Sequence, residues 1–160
     1  MIMSNRFLTA LPLLAFSLLF ATTTPAFTQQ LDASQLIAEC KAAAGERVFK
    51  YQRCLIGEYE RLEKQTRQLT DKLLGMVGGH RAFGRLKILQ WSNAISKSQS
   101  RWHKFIVWDC EWGGHARLNK KGAAAAMTKC RIERTAKRVK HLENRVRALD
   151  NLIKNANQKD

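Results

Sequence analysis

Four cysteines, Cys40, Cys54, Cys110 and Cys130, are the side chains of this sequence with the clearest chemistry. Thiols can bind a metal ion or pair into disulfides. Zinc-binding cysteines usually come in pairs about two to four residues apart, whereas the closest two here are fourteen positions apart. We therefore expect no metal site. We expect two disulfides if the chain enters an oxidising compartment.

The N-terminal segment indicates that the chain does enter such a compartment. A short cationic stretch ends at Arg6, an apolar run extends from Phe7 to Ala21, and small residues follow up to Ala26. This is the order of a secretory signal peptide, and the apolar run is shorter than the roughly 20 residues that span a membrane. We predict cleavage after Ala26, with an uncleaved anchor as the alternative. Residues 27–160 are then one domain, in the periplasm or secreted.

No group of residues has the pattern of a catalytic site. Asp109 and Glu111 flank Cys110, and ion pairs with nearby cations explain them better than glycoside hydrolysis, which needs two carboxylates across a cleft. The sequence contains no glycine-rich nucleotide-binding loop. The histidines lack a partner at a fixed spacing and are predicted to be surface residues: His80, His103, His115 and His141. We predict a protein without catalysis and without a cofactor.

The sequence is strongly basic. Its formal net charge is +15, and only one of the charged residues, Arg6, lies in the predicted signal peptide. Such an excess attracts anionic surfaces and says nothing about the fold. Nucleic acid is the weakest candidate partner, because the chain is predicted to be exported and has no nucleic-acid-binding motif.

The densest group of cations lies near the C-terminus, at steps that place it along one helix face. Glu133 and Glu143 are nearly the only acidic residues there, so repulsion between the cations is largely unrelieved. This basic stripe is a candidate anion-binding surface, and an ordinary solvated helix face is the alternative. Its members at steps of three and four are Arg131, Arg134, Arg138, His141 and Arg145, and Lys137, Lys140 and Arg147 extend it.

The elements that position these residues are predicted to be helices. Residues 32–34, which include Asp32 and Ser34, can cap a short helix over about 35–44, and Gly45 is suited to end it. In three longer segments, apolar residues recur at alternating steps of three and four, which predicts amphipathic helices. The predicted inward faces are Leu55, Tyr59, Leu62, Thr66, Leu69, Leu73 and Met76; Ile88, Trp91, Ile95, Ser98, Trp102 and Phe105; and Ile132, Thr135, Val139, Leu142, Val146, Leu149 and Ile153.

These segments predict an all-α fold, an antiparallel three-helix bundle with a short N-terminal helix, stapled by two disulfides. A long two-stranded coiled coil fits less well, because glycine pairs interrupt the pattern. The tripeptide Gly-Gly-His begins at Gly78 and at Gly113, and we predict that both glycine pairs cap helix C-termini. Trp108 and Trp112 do not lie on the predicted inward face. They form either an exposed recognition patch or a docking site for the short helix.

The cysteines should meet at one end of this bundle. Antiparallel packing brings together the start of the first long helix, the end of the second and the start of the third, which carry Cys54, Cys110 and Cys130. Cys40 can reach the same end, so all three connectivities remain open. We favour the sequential pairs, Cys40 with Cys54 and Cys110 with Cys130.

Intervals around the last two cysteines carry a family resemblance. Trp102 lies eight residues before Cys110, and Cys130 is followed by Thr135 at five and Arg138 at eight positions. In these intervals the sequence resembles the lysozyme-inhibitor LprI N-terminal-domain family, small exported bacterial helical domains. The resemblance covers about 40–142, and Cys40 and Cys54 are similar to the family's leading cysteine pair. The motif residues it implies are Gln99, Trp102, Thr135 and Arg138.

The resemblance implies binding to lysozyme and blocking of its cleft. The family usually has an arginine–aspartate pair where this sequence has Ile106 and Val107, and Asp109 is a candidate replacement. Animal lysozymes of the common type are themselves basic, so charge repulsion slows the association of two such proteins. We therefore expect a periplasmic binding protein without catalysis that resembles lysozyme inhibitors of the LprI type. The alternative is a binder of anionic envelope polymers or lipid head groups through the basic stripe.

Overall fold

The computed structural model describes residues 32–80, 83–115 and 122–158. The predicted signal peptide, residues 1–26, lies outside these described residues and stays a prediction. The described chain is all-helical and contains no strand, which confirms the predicted all-α class. Its helices are α1 (Ala33–Ala44), α2 (Val48–Gly79), α3 (Arg85–His115) and α4 (Ala123–Asn157). None of the described helices has an apolar stretch of the length needed to cross a membrane.

Short-range contacts delimit α1. The Oδ1 atom of Asp32 accepts hydrogen bonds from the backbone N–H of Ser34 at 2.9 Å and from its hydroxyl at 2.8 Å. These bonds satisfy a free N–H of the first turn and hold the pKa of Asp32 below its usual value. Gly45 ends the helix with φ of +57°, a conformation that favours glycine, and its N–H donates to the carbonyl of Lys41 at 3.1 Å.

The core lies mainly between α2 and α4. One cluster joins Leu55 and Leu62 to Ile132, Ala136 and Val139. A second cluster is composed of Leu73, Val77, Leu142, Val146 and Leu149. The inward faces predicted for these two helices are therefore confirmed at most positions. Burial of these aliphatic side chains is the main favourable contribution to folding, at about 1.5–3 kcal/mol for each large side chain.

Threonines on the same faces are buried without leaving an unpaired hydroxyl. Thr66 donates to the carbonyl of Leu62 at 2.8 Å, and Thr135 donates to the carbonyl of Arg131 at 2.6 Å. Each hydroxyl thus bonds to the carbonyl four residues earlier in its own helix. This explains how polar side chains occupy heptad positions in the core.

Contacts between side chains give the directions of the long helices. Gln52 donates to Thr128, and further along α2 Gln65 donates to Glu143. Residue numbers thus rise together in α2 and α4, so these helices run in the same direction. Against α4, α3 runs the opposite way, because Asp109 pairs with Arg134 whereas the earlier Gln99 pairs with Arg138.

Both disulfides follow from this arrangement. Cys40 is bonded to Cys54, and Cys110 to Cys130, with Cα–Cα distances of 5.5 Å in each pair. The favoured sequential pairing is confirmed, and the described residues contain no free cysteine. Disulfides are typical of proteins in oxidising, extracytoplasmic environments.

Over much of α3, the residue that faces inward is one position later in the sequence than the residue that was predicted. Trp91, Ser98 and Phe105 were expected to face the core, but all three are exposed. The disulfide explains the difference, because Cys110 must point toward α4 and this requirement fixes the rotation of α3. The residues that face inward are Ile88, Ser92, Ile95, Gln99, Trp102, Ile106 and Cys110.

The predicted glycine caps are also wrong. Gly78 and Gly79 form the last turn of α2, and the residue that ends this helix is His80, in an extended conformation. Gly113 lies inside α3, which continues to His115. Among the described residues only Gly45 and Gly122 have positive φ, so the Gly-Gly-His segments do not use the left-handed conformation of a glycine cap.

Candidate functional site

The first half of the basic stripe faces α3. The Nη2 atom of Arg131 lies 3.3 Å from Oε1 of Glu111, and its guanidinium lies over the ring of Tyr59. Arg134 Nε lies 2.8 Å from Asp109 Oδ2, an ion pair without hydrogen-bond alignment. These two arginines are therefore partly neutralised by the acidic residues that flank Cys110.

Arg138 has a different set of partners. Its Nη2 donates to the hydroxyl of Ser98 at 3.1 Å and to Oε1 of Gln99 at 3.3 Å. Its Cζ lies 5.8 Å from the ring centroid of Trp102. All of these partners are neutral, and burial lowers the pKa of the guanidinium from its usual value. Arg138 thus keeps an uncompensated charge at the contact between α3 and α4.

This contact includes residues that the predicted family resemblance singles out. Gln99 and Trp102 both contact Arg138, and Thr135 is fully buried one turn before Arg138. Ile106, which stands at one of the positions of the family's arginine–aspartate pair, is fully buried. The structure therefore joins Gln99 and Trp102 of α3 to Arg138 of α4 in a contact between two helices, and it buries Thr135 beside them in the sequence.

The remaining cations of the stripe form no ion pair with a carboxylate that the structure describes. Lys137, Lys140 and Arg145 are exposed, and no carboxylate of the described residues forms an ion pair with them. Lys137 and Lys140 project from the outer surface of α4, whereas Arg145 borders a groove.

This groove lies between α2, α3 and α4 and has a volume of about 470 Å³. Its floor is formed by buried aliphatic side chains of α2 and α4, and Trp91 and Ile95 of α3 form one wall. Three basic side chains line it along α4, at steps of three and four residues: Arg138, His141 and Arg145. We call it the α4 groove. It combines apolar and cationic surface.

The electrostatics of the α4 groove have one sign. None of the lining residues that the structure describes is an aspartate or a glutamate. The pKa of His141 is lowered from its usual value, first by burial and then by the positive charges of Arg138 and Arg145. The same potential that disfavours a proton on His141 favours a negatively charged group on a ligand. The sequence indicated the cations, but it did not indicate the apolar floor beside them.

Two other groups of described residues are weaker candidates for a functional site. Asp109, Cys110 and Cys130 have potential metal-ligand atoms within 4.8 Å of one another. Both sulfurs belong to the disulfide, so they are not thiolate ligands. A larger cavity of about 580 Å³ at the disulfide end is lined by charges of both signs, among them Lys41, Glu46, Lys129 and Glu133.

The fold brings together one pair of residues that the sequence does not indicate, His103 and Glu63. The exposed His103 lies with its Nδ1 atom 3.5 Å from Oε1 of Glu63, and Tyr59 donates to the same oxygen at 2.7 Å. The partners belong to different helices, so no sequence spacing could show them. Ser100, His103 and Glu63 line one cavity between α2 and α3.

Comparison with known proteins gives no match: no family model, no curated protein and no solved structure is similar to this chain. The resemblance to the LprI family stays a prediction.

Proposed function

We propose that this chain is an exported, non-catalytic binding protein, an antiparallel three-helix bundle with a short N-terminal helix, whose ligands are anionic lipids. The observation that supports this function is the α4 groove, in which Arg138, His141 and Arg145 border an apolar floor. Its volume of about 470 Å³ falls within the range of small-molecule sites. The disulfides and the predicted signal peptide favour an extracytoplasmic location.

The shape of the groove defines the class of ligand. An aliphatic chain on the floor is removed from water, at about 0.8 kcal/mol for each buried methylene. A carboxylate or phosphate at its head then lies near Arg138 and Arg145. Single-chain anionic amphiphiles, such as fatty acids, alkyl phosphates and lysophosphatidylglycerol, have both parts.

Two variants with the same change in charge test this assignment. Arg145→Glu places a carboxylate in the groove, whereas Lys140→Glu does so on an exposed α4 residue that does not line it. We expect Arg145→Glu to weaken binding of a decyl phosphate about tenfold or more, because it replaces an attraction by a repulsion. Lys140→Glu should change the affinity by less than about twofold at physiological salt. Isothermal titration below the critical micelle concentration measures both.

The length of the ligand's alkyl chain gives an independent test. Affinity should rise along a series of alkyl phosphates, since each methylene adds buried apolar area. Equal affinity for inorganic phosphate and the longest member would contradict the groove. Equal loss in Arg145→Glu and Lys140→Glu would instead support binding of anionic polymers by the whole basic stripe, the polymer part of the sequence-based alternative.

Lysozyme inhibition is a second proposal, supported by the resemblance and by the contact that joins Gln99, Trp102 and Arg138. The purified protein should then slow lysis of cell walls by lysozyme at micromolar concentration. Inhibition should strengthen as salt rises to about 0.15 M, because salt screens the repulsion between two basic proteins. Lysis at an unchanged rate at both low and high salt would contradict this second proposal.

A further inference from the structure

The outward face of α3 carries an exposed aromatic cluster. Trp108 is 74% exposed, Trp112 is 80% exposed and Phe105 is 53% exposed. Their spacing of three and four residues places them on one side of the helix, away from Ile106 and Cys110. Large apolar side chains exposed together on a helix are typical of an interaction site.

Cations accompany these aromatic residues. Lys97, Arg101 and Lys104 are exposed, and their helical spacing places them on the same side of α3 as Trp108. The only acidic residues of α3 are Asp109 and Glu111, and both pair with arginines of α4. The outward face of α3 is therefore cationic and aromatic and has no unpaired carboxylate among its described residues.

We propose that this face docks the protein peripherally on an anionic phospholipid bilayer. Tryptophan prefers the boundary between head groups and acyl chains, where its ring is in an apolar medium and its N–H can still donate a hydrogen bond. Lysine and arginine beside it reach the phosphates of the head groups. A helix with these two components lies in the plane of the interface.

Charge and shape favour a bilayer over a protein partner. The cations occupy the first part of this face and the aromatic residues its last part, all on the exposed surface of one helix, whereas a protein hot spot places its anchors in well-packed pockets. The net charge of +15 adds a long-range attraction to any anionic membrane. The docking face is separate from the α4 groove, so this inference does not depend on the proposed lipid ligand.

Vesicle binding by paired variants tests the aromatic part. The protein should bind vesicles that contain phosphatidylglycerol and should not bind vesicles of phosphatidylcholine alone. Trp108→Ala with Trp112→Ala should reduce the partition coefficient about tenfold or more. The matched control, Val48→Ala with Ile56→Ala, removes exposed aliphatic side chains from α2, outside both the docking face and the α4 groove, and should have little effect.

Fluorescence locates the contact. Lipids brominated along the acyl chain should quench the tryptophan emission of the wild-type protein. Trp108→Phe with Trp112→Phe should keep most of the binding and lose most of the quenching, because the remaining tryptophans, Trp91 and Trp102, lie away from the docking face by their helical spacing. This conservative pair also serves if the alanine pair fails to fold.

Charge reversal tests the cationic part. Arg101→Glu with Lys104→Glu should abolish binding at physiological salt, whereas Lys64→Glu with Lys72→Glu on exposed positions of α2 should weaken it only slightly. Equal loss from both pairs would mean that net charge alone drives binding and would overturn the proposed face. So would unchanged binding in the double alanine variant, or capture of an acidic protein with no vesicle binding. Arg145→Glu, which tests the α4 groove, should leave vesicle binding intact. The proposed docking face and the proposed groove ligand can therefore be contradicted independently.

Discussion

Arg138 lies over the ring of Trp102 with its Cζ atom 5.8 Å from the ring centroid, and this pair joins α4 to α3. The guanidinium also donates to Ser98 and Gln99. A single side chain thus combines a cation–π contact with two charge-assisted hydrogen bonds. The same charge lies beside the α4 groove, where it is available to a ligand.

We expect Arg138→Met to destabilise the protein by about 1–2 kcal/mol. The substitution keeps an apolar stem but removes the cation–π contact and the bonds to Ser98 and Gln99. Arg145→Met is the matched control and should change stability by less than about 0.5 kcal/mol, because Arg145 is exposed. Denaturant unfolding followed by circular dichroism measures both. Equal values for the two variants would contradict the role given to the contact.

Adjacent residues of α3 should respond very differently to truncation. Ile106 is fully buried, whereas Phe105 is mostly exposed. We therefore expect Ile106→Ala to cost about 2–5 kcal/mol of unfolding free energy, since it leaves a cavity. Phe105→Ala should cost well under about 1 kcal/mol. A larger loss of unfolding free energy in Phe105→Ala than in Ile106→Ala would contradict this assignment and support the rotation of α3 predicted from the sequence.

Loss of the second disulfide should weaken folding strongly. Cys110 and Cys130 close a loop with a separation of 20 residues, and such a crosslink contributes about 3 kcal/mol in the chain-entropy model. Cys110→Ser with Cys130→Ser should lower the melting temperature by more than Cys40→Ser with Cys54→Ser, which opens a loop of 14. Thermal unfolding of the two variants gives the comparison, and a larger effect of the shorter loop would contradict the entropic explanation.

His141 should make both stability and ligand binding depend on pH. Its folded-state pKa lies below the usual value, owing to burial and then to Arg138 and Arg145. The unfolded chain therefore binds the proton more readily, so stability falls as the pH drops through about 6.5 and levels off below the folded pKa. Protonation also adds a positive charge at the α4 groove, so binding of an anionic amphiphile should tighten over the same window. Both effects should disappear in His141→Gln, and persistence of either one in that variant would assign it to another group.

The sequence predicted α4 and α2 better than α3, and the reason is physical. In α4 the heptad from Ile132 to Leu149 contains apolar residues and threonines that satisfy themselves, so its inward face is unambiguous. In α3 aromatic residues occupy two faces, and the true inward face includes Gln99 because Arg138 is its partner. Steps of four and three counted back from Cys110 give the inward-facing residues of α3. This count can be made once the disulfide to Cys130 shows that Cys110 points toward α4.

The basic stripe shows a similar limit. Its steps of three and four were correctly recognised, but the positions of Arg131 and Arg134 beside Glu111 and Asp109 depend on the packing of α3. The groove beside Arg145 depends on three helices at once. Sequence spacing describes one helix, whereas partners across a bundle require its tertiary arrangement.

Both covalent crosslinks lie at the same end of the helices, where α2 begins and α3 ends, and the α4 groove lies toward the other end, near Val77 and Leu149. Local opening should therefore require less free energy at the groove end than around Leu62 and Ile132. Amide hydrogens of Leu149 and Val77 should exchange through frequent partial openings, whereas those of Leu62 should exchange only on global unfolding. For the lipid ligand that we propose, the uncrosslinked end would then be the end where the helices separate to admit the acyl chain, while the crosslinked end keeps them in register.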